Sequence, residues 1–391
     1  MRDSVRIVRL ARRGRRPARW LIASIAAVPL AAVPAIAHAT GRSAPLPRTA
    51  SIVVAVKGNH LVNGAGRTTR LLGVDRSGTE YACEQAWGIF DGPSSSASIA
   101  AIAAWHANAV RLPLNEGCWL GLFTRANDPA DAGRNPAPYE GAAYRAAIGS
   151  YVKALHAHGM AVILSLHALD APDGMNVPPM ADAAHAPAFW TSVASYFKHD
   201  RGVLFDLYNE PNSIGWSCWK NGCEVSTSAG KYRAAGMQSL VNAVRRAGAT
   251  QPLLVGGLDW SSDERSWRAY EPHDPRKSLV VSFHTYNTTY CNTLSCWNAE
   301  LGPLARVVPV VAGEVGEYDC ATPYTDAYMG FADSRGISYL GWAWDAISPG
   351  GWSCSSPSLI DDYGGTPSPE GAALHDHLSY LSANGLLPPV P

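Results

Sequence analysis

Short apolar runs recur along this chain, separated by longer stretches of mixed polarity. The runs fall at residues 71–74, 109–114, 161–166, 203–208, 253–257, 279–283, 308–312 and 338–342. Each is short and nearly free of charge, the pattern of strands buried on both faces. Between them, residues 98–106, 141–158, 188–197 and 229–247 read as helices. Strands alternating with helices predict an α/β fold with a parallel sheet. Even spacing over about 300 residues favours a closed (β/α)8 TIM barrel over an open doubly wound sheet. No GxGxxG follows the first run, which weakens a dinucleotide-binding reading. Length alone would allow two domains, yet no second domain or repeat stands out, so residues 51–391 are read as one barrel. Segments 52–56 and 59–62 predict a small hairpin before the first strand, placed to plug the barrel floor.

The N-terminus departs from this pattern. Residues 1–39 read as a secretory signal peptide: eight arginines, an apolar stretch at 20–37, and small-x-small sites at Ala35-Ile36-Ala37 and Ala37-His38-Ala39. The paired arginines suit a twin-arginine route, and a Sec signal fits nearly as well. An uncleaved membrane anchor is the alternative, which Pro29 and Pro34 disfavour by interrupting the apolar stretch. Residues 40–50, rich in Pro, Ser and Thr, read as a linker.

Export changes the charge. The full chain has 32 basic and 32 acidic residues, and residues 1–39 hold eight of the first and one of the second. The remainder, 24 against 31, has a net charge of −7. An acidic protein argues against nucleic acid or an anionic membrane as partner and suits a neutral polysaccharide. A secreted monomer is expected. All eight cysteines follow residue 39. Export and an even count favour disulfides. Cys218 with Cys223 and Cys291 with Cys296 are local pairs, and Cys83–Cys118 with Cys320–Cys354 is the expected remainder.

Polar residues gather where the runs end. Arg111 lies in the second, His167 ends the third, and Asn209 and Glu210 follow the fourth before Pro211, which lacks a backbone donor. Asp259 and Trp260 follow the fifth, His284 and Tyr286 the sixth, Glu314 the seventh and Trp344 the eighth. In a barrel these positions converge on one rim, the face that carries catalytic groups. Glu210 and Glu314, on strands four and seven, supply the opposed carboxylates that glycosidic cleavage needs. One must keep its proton through a raised pKa and the other must stay ionised. Arg111 and Tyr286 suit holding a carboxylate negative. Asn209 suits a hydrogen bond to a sugar 2-hydroxyl. Trp87, Trp119, Trp216, Trp219, Trp260, Trp297, Trp344 and Trp352 fall in or near the loops of this rim, where indole stacks on sugar faces. Trp344 is the expected platform. Glu317 reads as a solvated loop residue, Asp75 and Asp206 as ion-pair or cap residues, and His156 and His158 as surface residues. No HExxH, paired CxxC or GxSxG motif occurs, so neither a metal nor a serine nucleophile is implied.

With these residues in place, the chain from about 52 to 383 resembles glycoside hydrolase family 5, the cellulase-type barrel. Asn209-Glu210-Pro211 resembles its acid/base signature and Gly313-Glu314 its nucleophile segment. Arg111, His167, His284, Tyr286 and Trp344 match its other active-site positions. The resemblance implies a retaining double displacement with no cofactor, Glu314 attacking and Glu210 acting as acid, then base. Two departures stand out: Ser165 where an acidic residue is frequent, and Asp345 after Trp344 where asparagine is usual. An endo-β-1,4-glucanase is the expected activity, with a β-mannanase or an exo-acting β-glucosidase as alternatives. The rival of another class is an inactive carbohydrate-binding barrel.

Overall fold

The computed structural model describes residues 51–123, 138–168, 178–228, 230–346 and 357–391. Residues 1–50, read above as signal and linker, therefore lie outside the described residues, as do Trp352 and Cys354. Three short strands come first: β1 (Ala55–Lys57), β2 (His60–Val62) and β3 (Thr68–Thr69), an antiparallel sheet. The barrel follows, with β4 (Leu72–Asp75), β5 (Ala109–Asn115), β6 (Ala161–Ala168) and β7 (Val203–Asp206). An inserted antiparallel hairpin, β8 (Glu224–Thr227) and β9 (Gly230–Arg233), precedes β10 (Leu253–Gly256), β11 (Leu279–Tyr286), β12 (Val310–Gly316) and β13 (Ser338–Gly341). The eight strands β4–β7 and β10–β13 close on themselves, each paired in parallel with its neighbours. The expected barrel is present.

Period-two alternation divides the core into two clusters. Outward residues such as Leu112, Leu164, Phe205 and Val281 pack beneath the helices, including Ala142–Ala157, Ala186–Phe197 and Met237–Arg246. Inward residues at the strand starts form a separate apolar layer: Leu71, Ala109, Ile163, Leu204, Leu254, Val280, Val311 and Leu340. Ile52, Val54 and Leu61 from the N-terminal segment complete that layer, so β1 and β2 seal the floor. Farther up the same inward faces the residues turn polar. Leu71 leads to Asp75, Ala109 to Arg111, Ile163 to Ser165 and His167, and Val280 to Ser282, His284 and Tyr286. The floor is thus apolar and the mouth polar on one and the same set of strand faces.

The inserted hairpin corrects the helix expected at 229–247, which starts only at Met237. Tertiary contacts decide this. Arg233 O and Ala181 O accept the N–H groups of Ala183 and Ala235, and Tyr232 Oη donates to Met180 O at 2.8 Å. Docking on the segment after β6 gives residues 224–233 partners that a surface helix would lack. The disulfides Cys83–Cys118, Cys218–Cys223 and Cys291–Cys296 form as expected. Cys320 is also disulfide-bonded, while its expected partner Cys354 is outside the described residues.

Candidate active site

Arg111 occupies the centre of the barrel, fully buried. Its Nε donates to Asp206 at 2.9 Å. Nη1 donates to Asp75 at 2.9 Å and to Glu314 Oε1 at 2.7 Å. Nη2 donates to Ser165 Oγ at 2.9 Å and to Asn209 Oδ1 at 2.6 Å. All five guanidinium donors are thereby used. Ser165, one of the departures from the family pattern, keeps a hydrogen-bond partner for Arg111. Burial opposes the arginine's charge, yet Asp206, Asp75 and Glu314 together hold it more strongly than in water. Burial pushes Asp75 well above the usual carboxylate range, against Arg111, with Glu314 and Asp206 adding to the rise.

Glu314 faces inward because β12 is irregular. Phe283 pairs with Ala312 but His284 pairs with Glu314, so Gly313 is an extra residue in the ladder. Strict alternation from Val311 would turn Gly313 to the interior. The bulge turns Glu314 there instead and Val315 outward into the helix-side core. A Cβ at 313 would crowd His284 Nε2 at 3.0 Å and Ser282 Oγ at 3.2 Å. Tyr286 Oη donates to Glu314 Oε2 at 2.6 Å. Burial first, then the Glu314 charge, push the Tyr286 phenol well above its ordinary range, so it remains a donor.

Glu210 lies beyond β7, whose regular pairing stops at Asp206, four residues sooner than a strand-tip position would have it. Backbone bonds from Leu207 N to Leu254 O and Asn209 N to Leu166 O carry the segment on to the mouth. The Glu210 side chain is 18% exposed, open to a ligand. Burial raises its pKa to about 7, with Arg111 opposing and Asp206 adding. Its Oε1 is 3.0 Å from His284 Nδ1, which is 3.6 Å from Glu314 Oε2. One oxygen of each carboxylate and a His284 nitrogen all lie within 4.8 Å of one another. Burial lowers His284 to about 4, Glu314 opposing and Arg111 adding, so the imidazole between the carboxylates is neutral. His167 is held neutral by burial, then by Arg111 and His284, and lies 3.5 Å from Asn209 Nδ2.

The structure thus brings Arg111, His167, Asn209, Glu210, His284, Tyr286 and Glu314 together. It does not bring Trp344 with them. That indole is fully buried, packed edge-on against Trp105 at 4.9 Å. Trp342 takes the place instead, partly exposed and stacked on His167 with centroids 5.3 Å apart at 17°. Regular pairing of β13 ends at Gly341, so strand alternation does not extend to 344. Trp342 was legible in principle, since it ends its own apolar run as His167 ends another. Glu317 also differs from expectation. It is 1% exposed, and its Oε1 accepts the N–H of Thr325 in the first turn of the helix Pro323–Asp333. That helix covers the carboxylate that a bare loop would have left to solvent. Among the loop tryptophans, Trp119, Trp219 and Trp297 are core residues, whereas Trp87 and Trp260 are 49% and 45% exposed.

Residues 63–348 match the family described as cellulase, glycosyl hydrolase family 5. A mannan endo-1,4-beta-mannosidase of Streptomyces lividans is 26% identical over 346 residues, covering 86% of this chain and 77% of that protein. Endoglucanase CelA of the same organism is 23% identical over 220 residues, 54% of this chain and 43% of that protein. The chain therefore spans less than half of that relative's length. The crystal structure of a β-glucanase from Saccharophagus degradans in complex with cellotetraose superposes with a TM-score of 0.61 at 19% identity, covering 84% of this chain and 94% of that chain. This last likeness is one of fold.

Proposed function

Because the chain belongs to glycosyl hydrolase family 5, we propose that it is a retaining endo-β-1,4-glucanase in which Glu314 is the nucleophile and Glu210 the acid/base. The observation that carries this reading is the carboxylate pair, one oxygen of each within 4.8 Å of the other. Retaining enzymes hold their carboxyl groups about 5–5.5 Å apart, whereas inverting enzymes need about 6.5–9.5 Å to admit a water. The two residues also differ as the two roles demand. Glu210, raised to about 7, keeps a proton to give. Glu314 has both oxygens occupied by donors, Arg111 and Tyr286, which aim it and complement its charge.

The reaction runs in two balanced steps. Glu210 gives its proton to the glycosidic oxygen as a Glu314 oxygen bonds to the anomeric carbon, and the C–O bond to the leaving sugar breaks. Glu210, now a carboxylate, takes a proton from water, whose oxygen displaces Glu314 from the same carbon. Two inversions restore the β configuration. Asn209, oriented by Arg111 and buried, is placed to meet the 2-hydroxyl. Trp342, backed by His167, is placed to carry a sugar face.

Endo action is supported by the exposed Trp87 and Trp260. They follow the first and fifth barrel strands, which stand opposite in an eight-stranded ring. Exposed indoles after opposed strands suit a chain that passes through rather than one that ends there. Mannan is the second reading, favoured by the breadth of the match to the Streptomyces lividans mannosidase. Export as a monomer is part of the proposal: three described disulfides suit an oxidising compartment. Among the described residues no helix is long and apolar enough to cross a membrane.

The test is hydrolysis of soluble cellulose, mixed-linkage β-glucan and galactomannan, read by viscosity and by reducing ends. Cellulose cleavage with an early fall in viscosity is expected. Preference for galactomannan selects the second reading, and release of glucose without a viscosity fall overturns endo action. Glu314→Gln is expected to fold and to lose turnover on every substrate. Near-wild-type turnover by this variant would remove Glu314 from the mechanism.

A further inference from the structure

The nucleophile's strand is gripped from behind at a point two residues past Glu314. Gly316 pairs directly with Tyr286 across β12 and β11. A Cβ at Gly316 would stand 2.9 Å from Tyr286 Cε1 and 3.1 Å from Glu370 Oε1. The bare Cα is therefore the seat on which the phenol ring and the Glu370 carboxyl converge. Glu370 immediately precedes the C-terminal helix Gly371–Ala383 and is 4% exposed. Its Oε1 accepts the backbone N–H of Glu317 at 2.9 Å, closing the end of β12 against that helix. Its other neighbours include Val315, Met329, Leu359 and Leu374, which share a small cavity with it. The titratable groups that act on it are Glu317 and Asp319, with the Tyr318 phenol facing it. Burial first, opposed by the N–H groups of Glu317 and Ser358, raises it to about 8. It is neutral at the pH where Glu210 holds its proton.

A surface carboxylate that capped the helix would need none of this. The group is buried, neutral, and set where it touches the strand end that carries Glu314. It also borders, with the ring whose hydroxyl donates to Glu314, the space that a side chain at Gly316 would fill. We propose that Glu370 is a positioning residue for the nucleophile: with Gly316 it fixes the Tyr286 ring, and through it the 2.6 Å hydrogen bond from Tyr286 to Glu314. The proposal rests on Glu314 being the nucleophile.

Displacement of a catalytic group by about 1 Å costs on the order of a hundredfold in rate. Glu370→Ala is therefore expected to lower kcat roughly 10- to 100-fold with KM changed by less than about threefold. The decisive readout is the acidic limb of kcat/KM against pH. Withdrawing a hydrogen-bond donor from an attacking carboxylate moves that limb upward. A role confined to stability lowers the melting temperature and leaves the limb where it was. Glu370→Gln keeps an oxygen to accept the Glu317 N–H and is expected to restore both kcat and the limb. Gly316→Ala crowds the ring and the Glu370 carboxyl together and is expected to move the limb as Glu370→Ala does. It decides the question alone if Glu370→Ala does not fold. Wild-type acidic limbs in the folded Glu370→Ala and Gly316→Ala proteins would overturn the proposal, whatever their melting temperatures. An active Glu314→Gln protein is a different result: it defeats the reading of the nucleophile rather than that of its support.

Discussion

Arg111 divides five donors among Asp75, Ser165, Asp206, Asn209 and Glu314, which come from four strands, Asp206 and Asn209 both from β7 and its continuation. Removing it strands two or more buried acceptors at once. Arg111→Ala is expected to cost about 3–5 kcal/mol of stability, the range for breaking a buried ion pair, read as a fall in the urea midpoint. A second prediction at this scale separates the two neighbouring indoles. Trp342→Ala is expected to lower kcat/KM with little change in melting temperature, and Trp344→Ala to cost about 3–5 kcal/mol of stability as a core truncation. The reverse pattern would return the platform to Trp344. A third concerns Glu210. Its pKa of about 7 places the loss of the acid there, so kcat/KM is expected to fall as pH rises through about 7. Glu210→Ala should abolish that basic limb on aryl glycosides with good leaving groups, whose first step needs little protonation. Equal loss on every substrate would argue against the acid role. Residue types at strand ends were enough to find both carboxylates, Arg111, both histidines, Asn209 and Tyr286. They did not separate Trp342 from Trp344, because regular strand pairing ends at Gly341, before both.

At the scale of elements, the strands were legible because parallel strands buried on both faces must be continuously apolar. What alternation could not show was the bulge at Gly313. Read as a regular strand, β12 turns Gly313 inward and Glu314 away from its partner. The extra residue, visible only in the pairing with β11, turns the carboxylate into the barrel. The hairpin at 224–233 was hidden for a related reason. Its strands are held by contacts with residues 180–183, distant in sequence. The floor strands were expected and are present, and their weight is testable. Leu61 is buried in a layer to which all eight strands contribute. Leu61→Ala is expected to cost about 2–5 kcal/mol of stability while leaving the pH profile of activity unchanged. A shifted profile would mean that the floor layer and the mouth are coupled.

For the whole molecule, charge linkage sets a further expectation. Glu210 and Glu370 have native pKa values of about 7 and 8, against 4.5 for the unburied group. Between 4.5 and those values the native state binds more protons than the unfolded chain. Stability from these two groups is present at low pH and lost as pH rises through about 7 and 8. The melting temperature is expected to fall across that range, and Glu370→Gln to flatten part of the fall. An unchanged slope in that variant would show that Glu370 does not carry the proton. Reduction of the disulfides is expected to lower the melting temperature, since each closes a loop in the unfolded chain. N-terminal sequencing of the exported protein is expected to begin near Thr40. A start at Met1 on a membrane-bound product would favour the uncleaved anchor.

By itself the sequence determined the class of fold, the two carboxylates and the polar ring around them. Those features rest on local rules: apolar period, residue type at strand ends, and short motifs such as Asn209-Glu210-Pro211. Only the tertiary structure decided which tryptophan stacks on His167, that Glu317 is buried, how Gly313 turns Glu314 inward, and what stands behind Glu314. Each of those depends on a neighbour far along the chain: His167 against Trp342, Thr325 against Glu317, His284 against Gly313, Glu370 against Gly316. A local pattern carries no information about which distant side chain fills the space beside it, and in this barrel that choice sets the geometry of the site.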